Sequence, residues 1–489
     1  MRIAIIGGGV TGLVAAHHLS RHHQIRLFEA ADRLGGHAHT VDVEVEGTTF
    51  PVDTGFIVCN DRTYPRLTAL LERLGVATDP SEMSLAISDE RSGVEWGTAV
   101  GRLRARPTGT RRPNLRTQAA HTALLARIPR WHKAGEKLLD QIDRGEADPD
   151  ETLRSFLARA GLPESFGEGY VVPLTTAVWS ADPTTVLDFP AASICRFLRN
   201  HGMLSLGKRP QWRTVVGGSR SYVDAISKRF TDQVHLKAPV TEVKRRADDG
   251  VDVRVAGGEP ERFDAVVMAV HAPLALGMLP DADIDERQVL GAVRTQPNPT
   301  VLHTDTRVLP RNQAVWSSWN VRLPREPQDQ VAVTYLMNRL QNLPVSTPVC
   351  VSLNEDDHID PDTILGSYDY AHPVLDTEAI RAQRRLPRMQ GRGGVYWAGA
   401  WASYGFHEDG TRAAEQVCER IDPGSTRWEP PAPPLRPSPT STASLPSEAQ
   451  PRRTPHHMTP LLRPAARSTR ARSATSATST WATASASPS

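Results

Sequence analysis

Residues 2–29 read RIAIIGGGVTGLVAAHHLSRHHQIRLFE, and the order of those residues decides the fold. The run from Ile3 to Ile6 is short and β-branched, as a parallel strand buried on both faces requires. Gly7 permits the tight turn out of that strand, Gly9 lets a pyrophosphate approach the backbone, and Gly12 lets the next helix pack closely on the strand. That helix aims its free amides and the positive end of its dipole at the phosphates. Glu29 closes a second strand at the distance where an acid takes ribose hydroxyls. Strand, glycine turn, helix and terminal acid in one register predict a dinucleotide site in a Rossmann-type α/β domain.

A chain of 489 residues exceeds what a single core supports, so two intimately connected domains are expected. The net charge of +2 points to neither nucleic acid nor an anionic membrane as a partner. No apolar stretch approaches the ~20 residues that cross a bilayer, and the first strand leaves no room for a signal peptide; the expected compartment is the cytoplasm. The four cysteines, Cys59, Cys195, Cys350 and Cys418, lie far apart without metal-type spacing, which predicts reduced thiols and no metal site.

Two segments differ in composition. From about residue 425 the chain is nearly all Pro, Ser, Thr, Ala and Arg, so 423–489 is expected to be a disordered tail. Residues 101–130 hold eight arginines and no aromatic, with poor strand or helix periodicity. They are read as an exposed basic loop and helix, since a nucleic-acid arm would interleave aromatics. Out-of-frame translation of a GC-rich gene would give the same two compositions, an alternative that intact mass and reading frame decide.

The residues after Glu29 say which dinucleotide. Ala30-Ala31-Asp32-Arg33-Leu34-Gly35-Gly36-His37 carries a fixed cation and bare backbone amides to where a pyrophosphate would lie, and arginine suits bidentate phosphate contact. A nicotinamide enzyme has no need of this second loop. Here the chain resembles the flavin-containing amine oxidase superfamily, in which Glu-Ala-x-x-Arg-x-Gly-Gly-Arg follows the first βαβ unit. His37 replaces the last arginine of that motif, and a histidine can still donate a hydrogen bond. The resemblance implies FAD as cofactor and an amine-oxidase-like or glutathione-reductase-like FAD domain with an interleaved α+β substrate domain.

Further segments extend the likeness. Residues 53–56 (Asp-Thr-Gly-Phe) follow a hairpin-like stretch, 40–52, and the resemblance places Gly55 in the segment that reaches the flavin. Residues 234–243 alternate like a strand, and in relatives a residue at the place of Val240 contacts the adenine. Residues 263–270 read as another strand of the nucleotide domain. Residues 396–414 read as strand, glycine loop and helix, which gives a second helix N-terminus for an anion or a flavin carbonyl. Similarity puts Gly399 at the pyrophosphate, Asp409 near the ribityl chain or pyrophosphate, and Gly410 and Thr411 under the isoalloxazine. Relatives with a thioether-linked flavin carry a cysteine in this loop; 397–410 has none, so noncovalent FAD is expected. The FAD domain is assigned 1–80, 213–270 and 391–422, and the substrate domain 81–212 and 271–390.

The substrate segments resemble a bacterial subgroup of these flavoproteins, described as NAD/FAD-binding proteins, whose genes sit beside cyclopropane-fatty-acid-synthase-like methyltransferases. That likeness implies oxidation or desaturation of an apolar substrate, a lipid acyl chain. It leaves open a peripheral membrane contact, a lipid methyltransferase partner and the oligomeric state. Desaturation removes hydrogen from two adjacent carbons, so a group must take the second proton. His201, His303 and His407 titrate near neutrality and are the candidates, His407 foremost because it lies in the flavin loop beside Glu408. The plainer reading of each is a structural hydrogen-bonder. Trp179, Trp212, Trp316, Trp319 and Trp401 are read as core, or as walls of an apolar tunnel. Many amine oxidases place a lysine near the flavin in the strand pair that corresponds to 298–305; none occurs there or anywhere after Lys244. Amine oxidation therefore ranks second, and a non-catalytic flavin-binding subunit of a lipid-modifying complex is the reading of another class.

Overall fold

The strand Arg2–Ile6 sits near the middle of a five-stranded parallel sheet in the computed structural model, which describes residues 1–98, 104–107, 122–123, 126–179, 183–204, 210–326 and 330–427. Strand order is Val234–His235, Gln24–Phe28, Arg2–Ile6, Ala265–Met268, Val395–Trp397. Both faces of the central strand are covered: Ile3 to Ile6 are all buried. On one face lies the helix Val10–Leu19, every residue of which is buried. It packs against the last helix, His407–Ile421. On the other face lies a three-stranded antiparallel sheet, Val240–Arg245, Val251–Val255 and Glu261–Phe263, whose valines join Ala4, Ile6 and Phe28 in one apolar cluster.

Residues 234–243, expected as one strand, are two. Val234–His235 extends the parallel sheet and Val240–Arg245 belongs to the antiparallel one. Lys237 at φ 52° turns the chain between them, and Pro239 keeps the entry to the second strand extended.

The intervening chain builds an eight-stranded sheet, ordered Ile364–Pro373, Thr295–His303, Cys350–Leu353, Ala332–Leu336, Trp319–Leu323, Leu85–Asp89, Val94–Gly97, Arg104–Pro107. All its pairs are antiparallel except Trp319–Leu323 with Leu85–Asp89. The helices Ile128–Asp143, Leu153–Arg159, Val172–Trp179 and Ala191–Asn200 bury Trp131, Phe156, Val172 and Phe197 in one cluster with Ile87, Trp96 and Val321 of that sheet. Between the two systems lie the hairpin Thr40–Val45 with Thr48–Asp53 and a small sheet, Val58–Asn60, Trp212–Val215 and Thr78–Ser81. The domain boundaries expected at 80/81 and 212/213 fall inside two strands of this small sheet that pair with each other.

Residues Met1–Trp428 form one compact unit. Most of the basic segment 101–130 lies outside the described residues, but Arg104–Pro107 is the edge strand of the large sheet rather than part of a loop. Of the expected tail 423–489 only 423–427 is described. Ser425 is buried, and Gly424 N donates to Glu419 Oε2 at 2.9 Å, so this short start is fixed to the last helix. Among the described residues no helix is long and apolar enough to cross a membrane.

Candidate functional site

At the C-terminal edge of the parallel sheet, where ligands bind in open α/β folds, the glycines form two interlocked turns. Gly7 has φ +103°, which a side chain rarely adopts, and a Cβ on Gly12 would lie 1.8 Å from Gly7 O. Gly12 is what lets the helix start so close to the strand. Gly35 N donates to Gly8 O at 2.8 Å, which lays the second glycine loop beside the first. Gly9, extended at φ −72° and ψ 179°, is different in kind, because a Cβ there would meet nothing within 4 Å. Glu29 accepts from Gly8 N at 2.6 Å through Oε2 and from Ala31 N at 2.8 Å through Oε1, while Ala30 beside it is exposed.

The carboxy-terminal loop closes over these turns. A Cβ on Gly410 would meet Thr11 Oγ1 at 2.7 Å and Val10 Cγ1 at 2.8 Å. The bare glycine therefore lets the N-termini of the first and last helices converge, and both present free amides to one place. Gly399 lines the same space. Gly55 packs where a Cβ would strike His37 O at 2.2 Å, which brings Phe56 against His407 with ring centroids 3.7 Å apart.

Gly7, Gly9, Glu29, Gly35, Gly36, His37, Gly55, Gly399, His201 and His407 all line one cavity of about 390 Å³. Four residues expected to contact the cofactor make other bonds in this structure. The Arg33 guanidinium donates to Gly36 O at 2.9 Å and lies 3.4 Å from Leu34 O and Ala38 O, so it closes its own turn rather than lining the cavity. The Val240 side chain is buried in the apolar cluster below the sheet; it is residues 237 and 238, whose amides donate to Ala31 O and Glu29 O, that run beside the acid. Asp409 caps its own helix by accepting from Phe406 N at 3.1 Å, and pairs with Arg412 at 2.7 Å. Thr411 is fully buried and its hydroxyl donates to His407 O at 2.8 Å.

The three histidine candidates separate. His303 is fully buried with Nε2 bonded to Ser352 Oγ at 2.8 Å and Nδ1 accepting from Asp305 N at 3.0 Å; both nitrogens are used, the ring lines no cavity, and it is a structural tie. His201 Nδ1 is bonded to Phe197 O at 2.9 Å, so it carries the proton and Nε2 holds the lone pair. His407 Nε2 lies 3.0 Å from the hydroxyl of buried Tyr222. Assigning the phenolic proton to that bond leaves the imidazole proton on Nδ1. Burial depresses both basicities, His201 to about 4 and His407 to about 3, so both rings are neutral at pH 7.

The structure adds residues that the sequence reading missed. His271, Tyr370 and His372 line the cavity around His37, with ring centroids 5.9, 5.1 and 5.4 Å from it. His37 Nε2 is buried without a hydrogen-bond partner. His372 Nδ1 lies 2.7 Å from Asn298 Oδ1. The amide orientation is set from behind, since Asn298 Nδ2 donates to Asn354 Oδ1 at 3.4 Å and Asn354 Nδ2 donates to Val331 O at 3.0 Å. His372 therefore carries its proton on Nδ1 and offers the Nε2 lone pair, and burial holds its basicity down at about 4. Two signals pointed to these residues: His271 follows a parallel strand at its C-terminal end, and Tyr368, Tyr370 and His372 alternate on one face of a strand. Of the five tryptophans, Trp179, Trp212, Trp319 and Trp401 line the cavity; Trp316 donates to Pro310 O at 2.6 Å and does not. Among the described residues no group of His, Cys, Asp and Glu is placed to hold a metal ion.

The sequence model of a family described as flavin containing amine oxidoreductase matches residues 10–313. The flavin-dependent L-tryptophan oxidase RebO of Lentzea aerocolonigenes is 31% identical over 106 residues, 22% of this chain and 22% of that protein. The chain spans 7% and 22% of the lengths of two curated relatives that it matches. Among solved structures, a triple mutant of putrescine oxidase has a TM-score of 0.61 at 16% identity, covering 86% of this chain and 98% of that one. The CLA-producing fatty acid isomerase from P. acnes gives 0.61 at 18%, covering 86% and 98%. Cyclohexylamine oxidase from Brevibacterium oxydans IH-35A gives 0.57 at 18%, covering 86% and 99%. At these identities the likeness is one of fold.

Proposed function

Because the chain belongs to the flavin containing amine oxidoreductase family, and is an FAD-dependent oxidoreductase on that ground, we propose that it oxidises or desaturates an apolar substrate, a lipid acyl chain. The residues present fit FAD. The open space over Gly9, the converging helix N-termini at Val10 and His407, and the orphaned His37 Nε2 are an anion cradle and a buried polar atom that await a partner. Glu29, once released from Gly8 N, is the acid for a ribose. No cysteine lines the cavity among its described residues, which supports noncovalent FAD. When bound, FAD supplies the two-electron acceptor for a hydride.

The observation that carries the substrate reading is the charge of the wall. Glu29 is the only acidic or basic side chain, histidines apart, among the described lining residues, and it stands at the nucleotide end. Beyond the glycine loops the wall is Met83, Val178, Met203, Trp212, Trp319 and Leu353. A methylene chain is at home there, whereas an ammonium would find no carboxylate. Removal of a hydride and a proton from adjacent carbons leaves a double bond, and the proton needs a base. His372 Nε2 takes it in this reading: its ring lines the cavity, its tautomer is fixed by Asn298, and its neutral form is maintained by burial. His407 Nδ1–H and His201 Nε2 hold substrate or exclude water elsewhere along the wall.

The same reading assigns the chain to the bacterial NAD/FAD-binding subgroup linked to lipid methyltransferases, in the cytoplasm, with a nucleotide lobe around the parallel sheet and a substrate lobe around the large sheet. The test is an anaerobic absorbance spectrum of purified protein, followed by acyl lipids and then a panel of amines. Bleaching of the flavin band by lipid is the expected result. Bleaching by amines alone replaces it with amine oxidation, and a bound flavin that neither class reduces points to the non-catalytic subunit.

A further inference from the structure

A second chamber of about 450 Å³ shares Tyr64, Phe197, His201, Tyr404 and Phe406 with the inner cavity. Three of these residues belong to a column of near-parallel rings. Phe406 stacks on Phe197 at 5.1 Å, Phe197 on His201 at 3.8 Å, and His201 on Trp212 at 5.8 Å. The shared wall is therefore aromatic and flat, a surface along which an alkyl chain can lie.

Charge distinguishes the chambers. The inner cavity has no arginine or lysine among its described lining, while the outer one has Arg62, Arg66 and Arg412. Its acids are already used: Asp409 pairs with Arg412 at 2.7 Å, and Glu408 accepts from Arg66 N and Leu67 N at 3.1 and 3.0 Å at the start of the helix Pro65–Arg73. Arg66 pairs in turn with Glu415. Among the described residues Arg62 alone of the three arginines makes no ion pair, and it is exposed. The backbone that carries it is nonetheless held. Buried Asn60 accepts from Thr63 N at 2.9 Å and Thr63 Oγ1 at 3.0 Å, and Tyr64 N donates to Asn60 O at 3.0 Å, so Arg62 stands at the tip of a hydrogen-bonded turn.

We propose that the outer chamber seats the anionic head group of the acyl substrate, with Arg62 as its ion partner, and that the chain passes along the ring column into the inner cavity. This rests on the acyl-chain reading above and adds the class of head group. A guanidinium with no ion partner among the described residues suits a carboxylate or a phosphate. It also opposes entry of an ammonium, consistent with a wall that has no acid to receive one.

The test is binding, read from perturbation of the oxidised flavin spectrum under air-free conditions, with oleate, methyl oleate and oleoyl lysophosphatidate below their micelle concentrations. Wild type is expected to bind oleate at least about tenfold more tightly than the ester, as one charge-assisted pair requires. Arg62→Ala is expected to weaken the anion 10- to 100-fold and leave the ester unchanged, with Arg62→Lys intermediate. If only the lysophosphatidate responds to Arg62, the head is a phosphate rather than a carboxylate. Equal binding of all three lipids, unaltered in Arg62→Ala, overturns the head-group site and leaves the acyl reading standing. Failure of every lipid to perturb a flavin that amines do reduce overturns both.

Discussion

Lowering pH from 7.5 to 5.5 should destabilise this protein far more than its net charge suggests. Burial holds six histidines neutral in the folded state, His17 and His407 down to about 3 and His18, His201, His303 and His372 to about 4. Their unfolded value is about 6.5. Below it the unfolded chain takes up protons that the folded chain refuses until pH 4 or lower, so the unfolded state binds more protons and stability rises with pH. The contribution is complete above pH 6.5 and is lost progressively as pH falls toward the folded values. Each histidine gives up about 1.4 kcal/mol per pH unit in that window. At pH 5.5 six of them give up about 8 kcal/mol, comparable with the whole stability of a typical fold, about 5–15 kcal/mol. Buried Asp53, pushed up to about 6, takes its proton in the folded state over the same window and offsets about 1 kcal/mol of that loss, so the net effect still belongs to the histidines. Thermal melts at constant ionic strength should show Tm falling by roughly 10 °C or more between pH 7.5 and 5.5. A Tm that moves by less than about 3 °C would show that these rings are charged or hydrated in the native protein, and the tautomer assignments for His201, His372 and His407 would fall with it.

The two glycine roles can be separated by substitution. Gly9→Ala should fold with unchanged or slightly raised stability, because its φ and ψ suit alanine, yet lose FAD affinity by about 100-fold as the new methyl group fills the phosphate seat; a yellow, tightly loaded variant counts against the cradle. Gly12→Ala places a methyl group 1.8 Å from a backbone oxygen and should yield no folded protein, so a soluble variant with a normal melt contradicts the packing described. His372→Asn should keep FAD and acyl binding but slow flavin reduction by about 10²–10⁴-fold, and a reduction rate within threefold of wild type removes His372 as the base. Tyr222→Phe removes the partner of His407 Nε2 at a cost of about 1 kcal/mol in stability; nitrogen-15 NMR of the imidazole should then show Nε2 protonated, and an unchanged tautomer rejects the assignment.

What could be read in the sequence and what could not divides along the range of the interactions. The tight turns at Gly7, Gly12, Gly35 and Gly36 were legible because a chain that turns this sharply writes its requirement into neighbouring residues. Gly410 was legible as part of a glycine loop, although its contact with Val10 and Thr11 across the chain gives the actual reason for a glycine. His303 misled because the partner that occupies it, Ser352, is 49 residues away on a paired strand. The bonds of Asp409 and Thr411 within their own helix could not be read in the sequence, because residues in the first turn of a helix are as apt to satisfy that helix as a ligand. The strand alternation marked the place of His372 but not its role: that lies in Asn298, its diagonal neighbour across the Thr295–His303 and Ile364–Pro373 pair, and in Asn354 and Val331 behind.

That division has a physical consequence for the family. A dinucleotide is gripped by backbone amides and helix ends, which many sequences can present provided the glycines are kept. Beyond the glycine loops the cavity wall is made of side chains drawn from the small sheet, the large sheet, the helical layer and the last loop at once. Most of the wall beyond the glycine loops lies outside the cradle, and one fold is shared with a putrescine oxidase, a cyclohexylamine oxidase and a fatty acid isomerase at 14–18% identity to this chain. Specificity in such a fold resides in which side chains face the cavity and which ion stands at its mouth. In this protein those are an uncharged aromatic and aliphatic wall and Arg62, and for that reason the charge of the substrate head, more than the length of its chain, should decide what enters.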